Sequence, residues 1–242
     1  MSEILPPEKR LQFFVFIIES PSPVDLYHRR GEGEVIRNAV GLNLIPSELR
    51  LAVNREAFEA AIRIGLSDAM REHPNRLPIL HISAHGFDEG IQLSSGEVLD
   101  WSELRDLLLP VNRALGGSLI LCMSTCEGYS GSRMAMRREE CEHPFYAIVG
   151  NGRKPSWPET AVAFATFYHL VACGRYIVDA VEAMRIASGN DAFFVTTAEE
   201  SRRGFLEYIQ SIDAQDAQEV LEVQADEQQP NPLGKLLIER RG

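Results

Sequence analysis

LPILHISAHG (residues 77–86) and GSLILCMSTCEG (residues 117–128) decide how this chain is read. Each is an apolar run that ends in small residues and then in one chemically versatile side chain, His85 in the first and Cys126 in the second. Apolar runs of this kind fit strands covered on both faces, as in a parallel sheet with helices above and below. In such sheets, ligands and reactive groups gather beyond the carboxyl ends of the strands, where backbone amides come free. His85 and Cys126 both stand there.

Working outward, IQLSSGEVL (residues 91–99) predicts a small hairpin with Ser-Ser-Gly at its tip. Residues 101–115 predict a helix, capped by Asp100 or Ser102 with Glu103 in a capping arrangement and stopped by Gly116 and Gly117. Upstream, LQFFVFIIE (residues 11–19) is another buried strand, ended by the SPSP of residues 20–23. Val35, Ile36, Ala39 and Val40 recur at helical spacing. Residues 45–53 suit a strand, with a helix start at Pro46 competing. Asn54 is placed to cap a long amphipathic helix through Met70, with Phe58, Ala61, Ile62, Leu66 and Ala69 on one face.

Downstream, residues 133–138 form a basic helical stretch, 145–149 a strand, 160–173 and 177–186 apolar helices, and 192–197 a final strand. This alternation predicts a three-layer α/β/α sandwich with a mostly parallel central sheet over residues 1–210. From residue 211 the composition shifts to Asp, Glu, Gln and Ala. Residues 211–242 therefore read as an acidic extension, partly helical or weakly ordered, whose terminal LGKLLIERRG is apolar enough to dock on a surface.

The 242 residues are 45% apolar and 24% charged, which is ordinary for a globular protein, and the formal net charge is -11. Nucleic acid is excluded as the main ligand, because phosphate binding rests on clustered Lys and Arg. The opening MSEILPPEKR lacks a signal-peptide pattern, and neither LQFFVFII nor AVAFATFYHLVAC reaches the roughly 20 residues that span a bilayer. The expectation is a cytoplasmic protein with no membrane contact. Its four cysteines are then free thiols, with Cys122, Cys141 and Cys173 as small packing residues.

The chemistry concentrates on His85 and Cys126. A cysteine attacks as the thiolate, and an adjacent imidazole takes its proton or stabilises the anion. Gly86 and Gly128 follow closely, and the amides of Gly86 and Cys126 are natural donors to an oxyanion. An activated thiol of this kind reacts with iodoacetamide well below the usual thiol range. The equal spacing of His81 with His85 and of Cys122 with Cys126 also suggests a zinc site. Along a strand, however, four residues cover about 13 Å, which is too far for ligands of one ion, and neither metal nor cofactor is expected. The chain shows no Gly-rich phosphate loop after a strand and no Gly-x-Ser-x-Gly elbow.

SAHGFDEGIQLSSGEVLDWSELRDLL (residues 83–108), followed by GGSLILCMSTCEG (residues 116–128), resembles the caspase-like cysteine peptidases, the group that includes caspases, metacaspases and bacterial CHAT proteases. The shared pattern is small-residue-His-Gly at a strand end, a hairpin, a helix, and an apolar strand ending in small-residue-Cys-x-Gly. The resemblance implies an endopeptidase in which Cys126 forms a thioester and His85 is general acid and base. Cys122 does not match the nucleophile.

Metacaspase-like enzymes carry an acid two residues before the cysteine, where this chain has Ser124. Caspases place an arginine after their first strand to hold an aspartate side chain. Arg29 or Arg30 matches that place, beside the plainer reading of a solvated pair. The resemblance further implies a protein or peptide substrate, an activating partner or signal, and regulated proteolysis of the immunity or cell-death type; a homo-oligomer is compatible with the sequence, which does not set the oligomeric state. The rival reading is a catalytically silent caspase-like module that binds partners.

Overall fold

Phe13–Ser20 form strand β1, and every one of its residues is buried, including Glu19 and Ser20. A strand covered on both faces needs apolar side chains at odd and even positions alike, which is why its sequence shows no alternation. The computed structural model describes residues 4–139 and 142–227, so Cys141 and the LGKLLIERRG segment lie outside the described residues.

Further strands are β2 (Ser47–Leu51), β3 (Leu77–Phe87), β4 (Gly90–Gln92), β5 (Val98–Asp100), β6 (Ile120–Ser124), β7 (Ala147–Asn151) and β8 (Phe193–Thr197). The central sheet runs β2-β1-β3-β6-β7-β8. It is parallel from β2 to β7, and β8 joins β7 antiparallel. Hairpin β4–β5 pairs with the overhanging end of β3, with His85 opposite Gln92 and Gly86 opposite Ile91.

The helices are α1 (Pro23–Tyr27), α2 (Gly33–Gly41), α3 (Arg55–Ala60), α4 (Leu66–Glu72), α5 (Trp101–Ala114), α6 (Trp157–Ala172), α7 (Ile177–Ser188) and α8 (Ala198–Glu227). One face of the sheet packs Phe14, Phe16, Ile18, Leu80, Ile82, Leu121 and Met123 against Phe58, Ile62, Leu66, Leu104 and Leu108 of α3 to α5. The other packs Phe13, Val15, Ile17, Ile79, Ile120 and Val149 against α2, α6 and α7 through Ile36, Val40, Phe164, Phe167, Val181 and Met184. These are the three layers of an α/β/α sandwich.

Several local expectations are adjusted. Residues 47–51 take the strand rather than a helix begun at Pro46, because β1 offers them a parallel edge. The helix capped by Asn54, whose side chain accepts from the Ala57 amide at 3.0 Å, widens into a π-helical turn at Ala61–Gly65 before resuming as α4. α6 begins at Trp157, behind a Ser156–Glu159 capping box. The stretch expected to be helical over 133–138 is instead a 3-10 helix over Gly128–Ala135. The chain divides after Arg202 into a body and a C-terminal unit, whose described part continues α8 to Glu227. Among the described residues no helix is long and apolar enough to cross a membrane.

Candidate active site

Parallel pairing of β3 with β6 sets Ser83 opposite Ser124, so His85 and Cys126 stand equally far beyond that last pair. Two backbones meet there. A Cβ built on Gly86 would fall 2.1 Å from the carbonyl oxygen of Cys126 and 2.8 Å from Cβ and Oγ1 of Thr125. The residue after the histidine thus lies against the Cys126 peptide, and glycine is what permits that approach.

The turn after β6 is equally tight. Glu127 is left-handed at φ 54, and its amide donates to the Arg153 carbonyl at 2.7 Å. A Cβ on Gly128 would meet Thr125 Oγ1 at 2.6 Å, and one on Gly150 would meet backbone atoms of Gly128 and Tyr129 at 2.8 Å. This packing against β7 starts the 3-10 helix earlier than its basic residues suggested.

The loop after His85 is tied to its surroundings. The Trp101 indole donates to the Asp88 carbonyl at 2.7 Å, and Arg133 donates to Asp88 Oδ2 at 2.8 Å, joining the segment after the cysteine to the loop after the histidine. The His85 ring lies edge-on to Trp157, the first residue of α6, with centroids 6.4 Å apart. Among the described residues no hydrogen bond joins His85 to Cys126.

Cys126 is half-buried, and burial pushes its thiol above the ordinary range, with Glu127 adding to the rise while Lys154 and the cysteine's own amide oppose it. Burial thus favours the neutral thiol over the thiolate at this position. Alkylation by iodoacetamide in substrate-free protein should lag behind free cysteine below the ordinary thiol range of about 8.5 and rise only above it. The pH dependence of Cys126 labelling, followed by mass spectrometry, checks this, and labelling at about pH 6 faster than free cysteine would refute it.

Beneath His85 and Cys126 lies a buried polar cluster centred on Glu32, a residue that the sequence reading did not single out. Glu32, 3% exposed, accepts from Ser83 Oγ at 2.9 Å and from Ser124 Oγ at 2.6 Å, both at the same carboxylate oxygen, Oε2. Its other oxygen, Oε1, is buried with no partner among the described residues. His81 Nε2 is 3.8 Å from Oε2, and His81 Nδ1 and the Tyr168 hydroxyl are 2.9 Å apart. Glu19 accepts from the Gly33 amide at 2.7 Å, and burial, reinforced by the charge of Glu32, raises its carboxyl. The only sequence signal was the acid in GEGE, which looks like any solvated loop.

The remaining sequence candidates are placed as follows. Ser124 bonds to Glu32. Arg30 is exposed and pairs with Asp25 at 3.2 Å, and Arg29 is exposed in the left-handed region at φ 53. Among the described residues neither arginine hydrogen-bonds to the ends of β3 or β6. His81 and Cys122 pair in register deep in the sheet, both fully buried, and burial pushes the Cys122 thiol up to about 12. Among the described residues, metal-ligand atoms gather within 4.8 Å of one another at Glu48, Glu72 and His73, where Glu48 already pairs with Arg50 at 2.9 Å.

No family model and no curated protein matches the sequence. Among solved structures, the chain is similar to a secreted C11 cysteine protease from Bacteroides thetaiotaomicron, "iotapain", at TM-score 0.50 and 12% identity, over 79% of this chain and 68% of that one. The fold is caspase-like. An inactive zymogen C11 protease from Parabacteroides distasonis also matches, at TM-score 0.48 and 12% identity, over 82% of this chain. The chain spans 64% of that protein's length. His85 and Cys126 stand at the carboxyl ends of β3 and β6, the two central strands of this sheet.

Proposed function

We propose that this chain is a cysteine endopeptidase that cleaves peptide bonds through a thioester on Cys126, with His85 as general acid and base. The observation that carries the reading is the packing of Gly86 on the Cys126 carbonyl, which holds the two strand ends together beyond a matched Ser83–Ser124 pair. In this reaction His85 takes the thiol proton as sulfur attacks the scissile carbonyl. The amides of Gly86 and Cys126 receive the developing oxyanion, a stabilisation worth about 3–4 kcal/mol per donor. His85 then protonates the leaving amine, the thioester forms, and water activated by the same imidazole releases the acid product and restores the thiol.

Among the described residues no hydrogen bond joins His85 to Cys126, so on this reading activity begins when substrate or an activating partner brings His85 and the sulfur into hydrogen-bond reach. That suits regulated proteolysis of the immunity or cell-death type. It also distinguishes the enzyme from its rival, a silent binding module, since only the enzyme turns over peptide.

Glu32 is sealed beneath the two strand ends with its free oxygen buried, and so lies out of reach of a substrate side chain. A peptide library read by mass spectrometry should show cleavage by the wild type and none by Cys126→Ala, and undiminished cleavage by the variant would overturn the reading. Cleavage after aspartate in that profile would favour Arg29 or Arg30 as the group that holds the residue before the cut.

A further inference from the structure

A second nucleophile-and-base arrangement lies at the other end of α6. This helix starts at Trp157 beside His85, and its 16 residues extend about 24 Å, so Ala172 and the Cys173 that caps it are remote from the dyad. Cys173 Sγ is 3.8 Å from His169 Nε2, one helical turn earlier. His169 Nδ1 is 2.7 Å from Oδ1 of Asn43, in the turn after α2. Asn43 is itself oriented, since its Nδ2 donates to the Ala39 carbonyl at 3.2 Å.

These contacts fix the proton positions. An amide oxygen only accepts, so Nδ1 of His169 carries the hydrogen, and the bare lone pair of Nε2 faces the sulfur. The thiol donates to it. Proton transfer from sulfur to nitrogen would leave a thiolate beside an imidazolium whose other N–H is held by Asn43, the arrangement in which a base is oriented by a third group. His169 is exposed and Cys173 is partly so, which leaves the sulfur open to small molecules. The expectation that Cys173 is only a packing residue does not account for this set.

We propose that Cys173, His169 and Asn43 form a second thiol site that takes up low-molecular-weight disulfides as mixed disulfides. The Cys173 proton passes to His169 Nε2, and the sulfur attacks one sulfur of the disulfide R–S–S–R. The old S–S bond breaks, a Cys173–S–R bond forms, and the departing thiolate regains the proton as R–SH. No electrons are gained or lost overall, because the small disulfide is reduced as Cys173 is oxidised.

The test uses the full chain, glutathione disulfide as probe, and peptide mass spectrometry to read each cysteine over time. Cys173 should react at least about tenfold faster in the folded protein than in the same chain unfolded in urea. His169→Ala and Asn43→Leu should each slow it about tenfold, while Asn43→Asp, which keeps the acceptor, should retain the rate. Cys122, fully buried, reports on folding, because it reacts only when the sheet opens. A rate unchanged in both His169→Ala and Asn43→Leu would overturn the proposal, as would a folded Cys173 no faster than the unfolded one. The readout is independent of peptide cleavage, so it stands or falls apart from the assignment of Cys126.

Discussion

If Cys126 is the nucleophile as proposed, Cys126→Ala should abolish peptide cleavage, lowering turnover by at least about 10³-fold, while the protein keeps its fold. The side chain is half-buried at a turn whose shape is set by backbone contacts of Gly128, Gly150 and Arg153, none of which involves the sulfur. Removing the sulfur therefore deletes the chemistry and leaves the support. His85→Ala should act on the same step and not multiply the loss, because nucleophile and base work as a unit.

Cys122→Ala is the matched control. Its sulfur is fully buried, far from ionising, and close enough to Tyr168 to share a hydrogen bond. It should cost stability on the order of 1 kcal/mol and leave turnover nearly intact. Turnover of each variant on a common peptide, with thermal unfolding alongside, checks all three expectations. Undiminished cleavage by Cys126→Ala would end the assignment.

Gly86→Ala gives the second large effect, for a different reason. The added methyl would lie 2.1 Å from the Cys126 carbonyl oxygen, well inside contact distance, and 2.8 Å from two atoms of Thr125. The nearest obstacle is backbone, so it cannot move aside as the end of a flexible side chain does. Either β3 shifts away from β6 at its end, or the turn carrying Cys126 moves. Either response separates His85 from the sulfur and displaces a proposed oxyanion donor, so activity should fall by about 10²-fold or more. Overpacking of this kind costs about 1–3 kcal/mol, so the melting temperature should drop as well. Gly96, by contrast, sits in open space in the hairpin turn at φ +90, and alanine there should strain only its own turn and spare catalysis. Parallel kinetics and melts of the two variants separate a local clash at the site from general loss of fold.

Different parts of the molecule were legible in sequence to different degrees. β1, β3 and β6 could be read because a strand buried on both faces is mostly apolar at odd and even positions alike, and Asp100 with Glu103 announced α5 through its capping box. The start of α6 was misplaced because its first turn, Trp-Pro-Glu, carries capping rather than apolar signals. The onset of the 3-10 helix after Cys126 was missed because it depends on Gly150 of β7, distant in sequence.

The apolar strand runs, the small residues at their ends, and the placement of one histidine and one cysteine there were determined by the sequence alone, since burial and chain turning act locally on residue type. What only the tertiary structure decided is the company those residues keep: Gly86 against the Cys126 peptide, Glu32 beneath His85 and Cys126, and the half-buried setting of the Cys126 sulfur. Each depends on the parallel register that brings β1, β3 and β6 side by side. Electrostatics and close packing act between neighbours in space, and residues 32, 86 and 126 become neighbours only when the sheet forms.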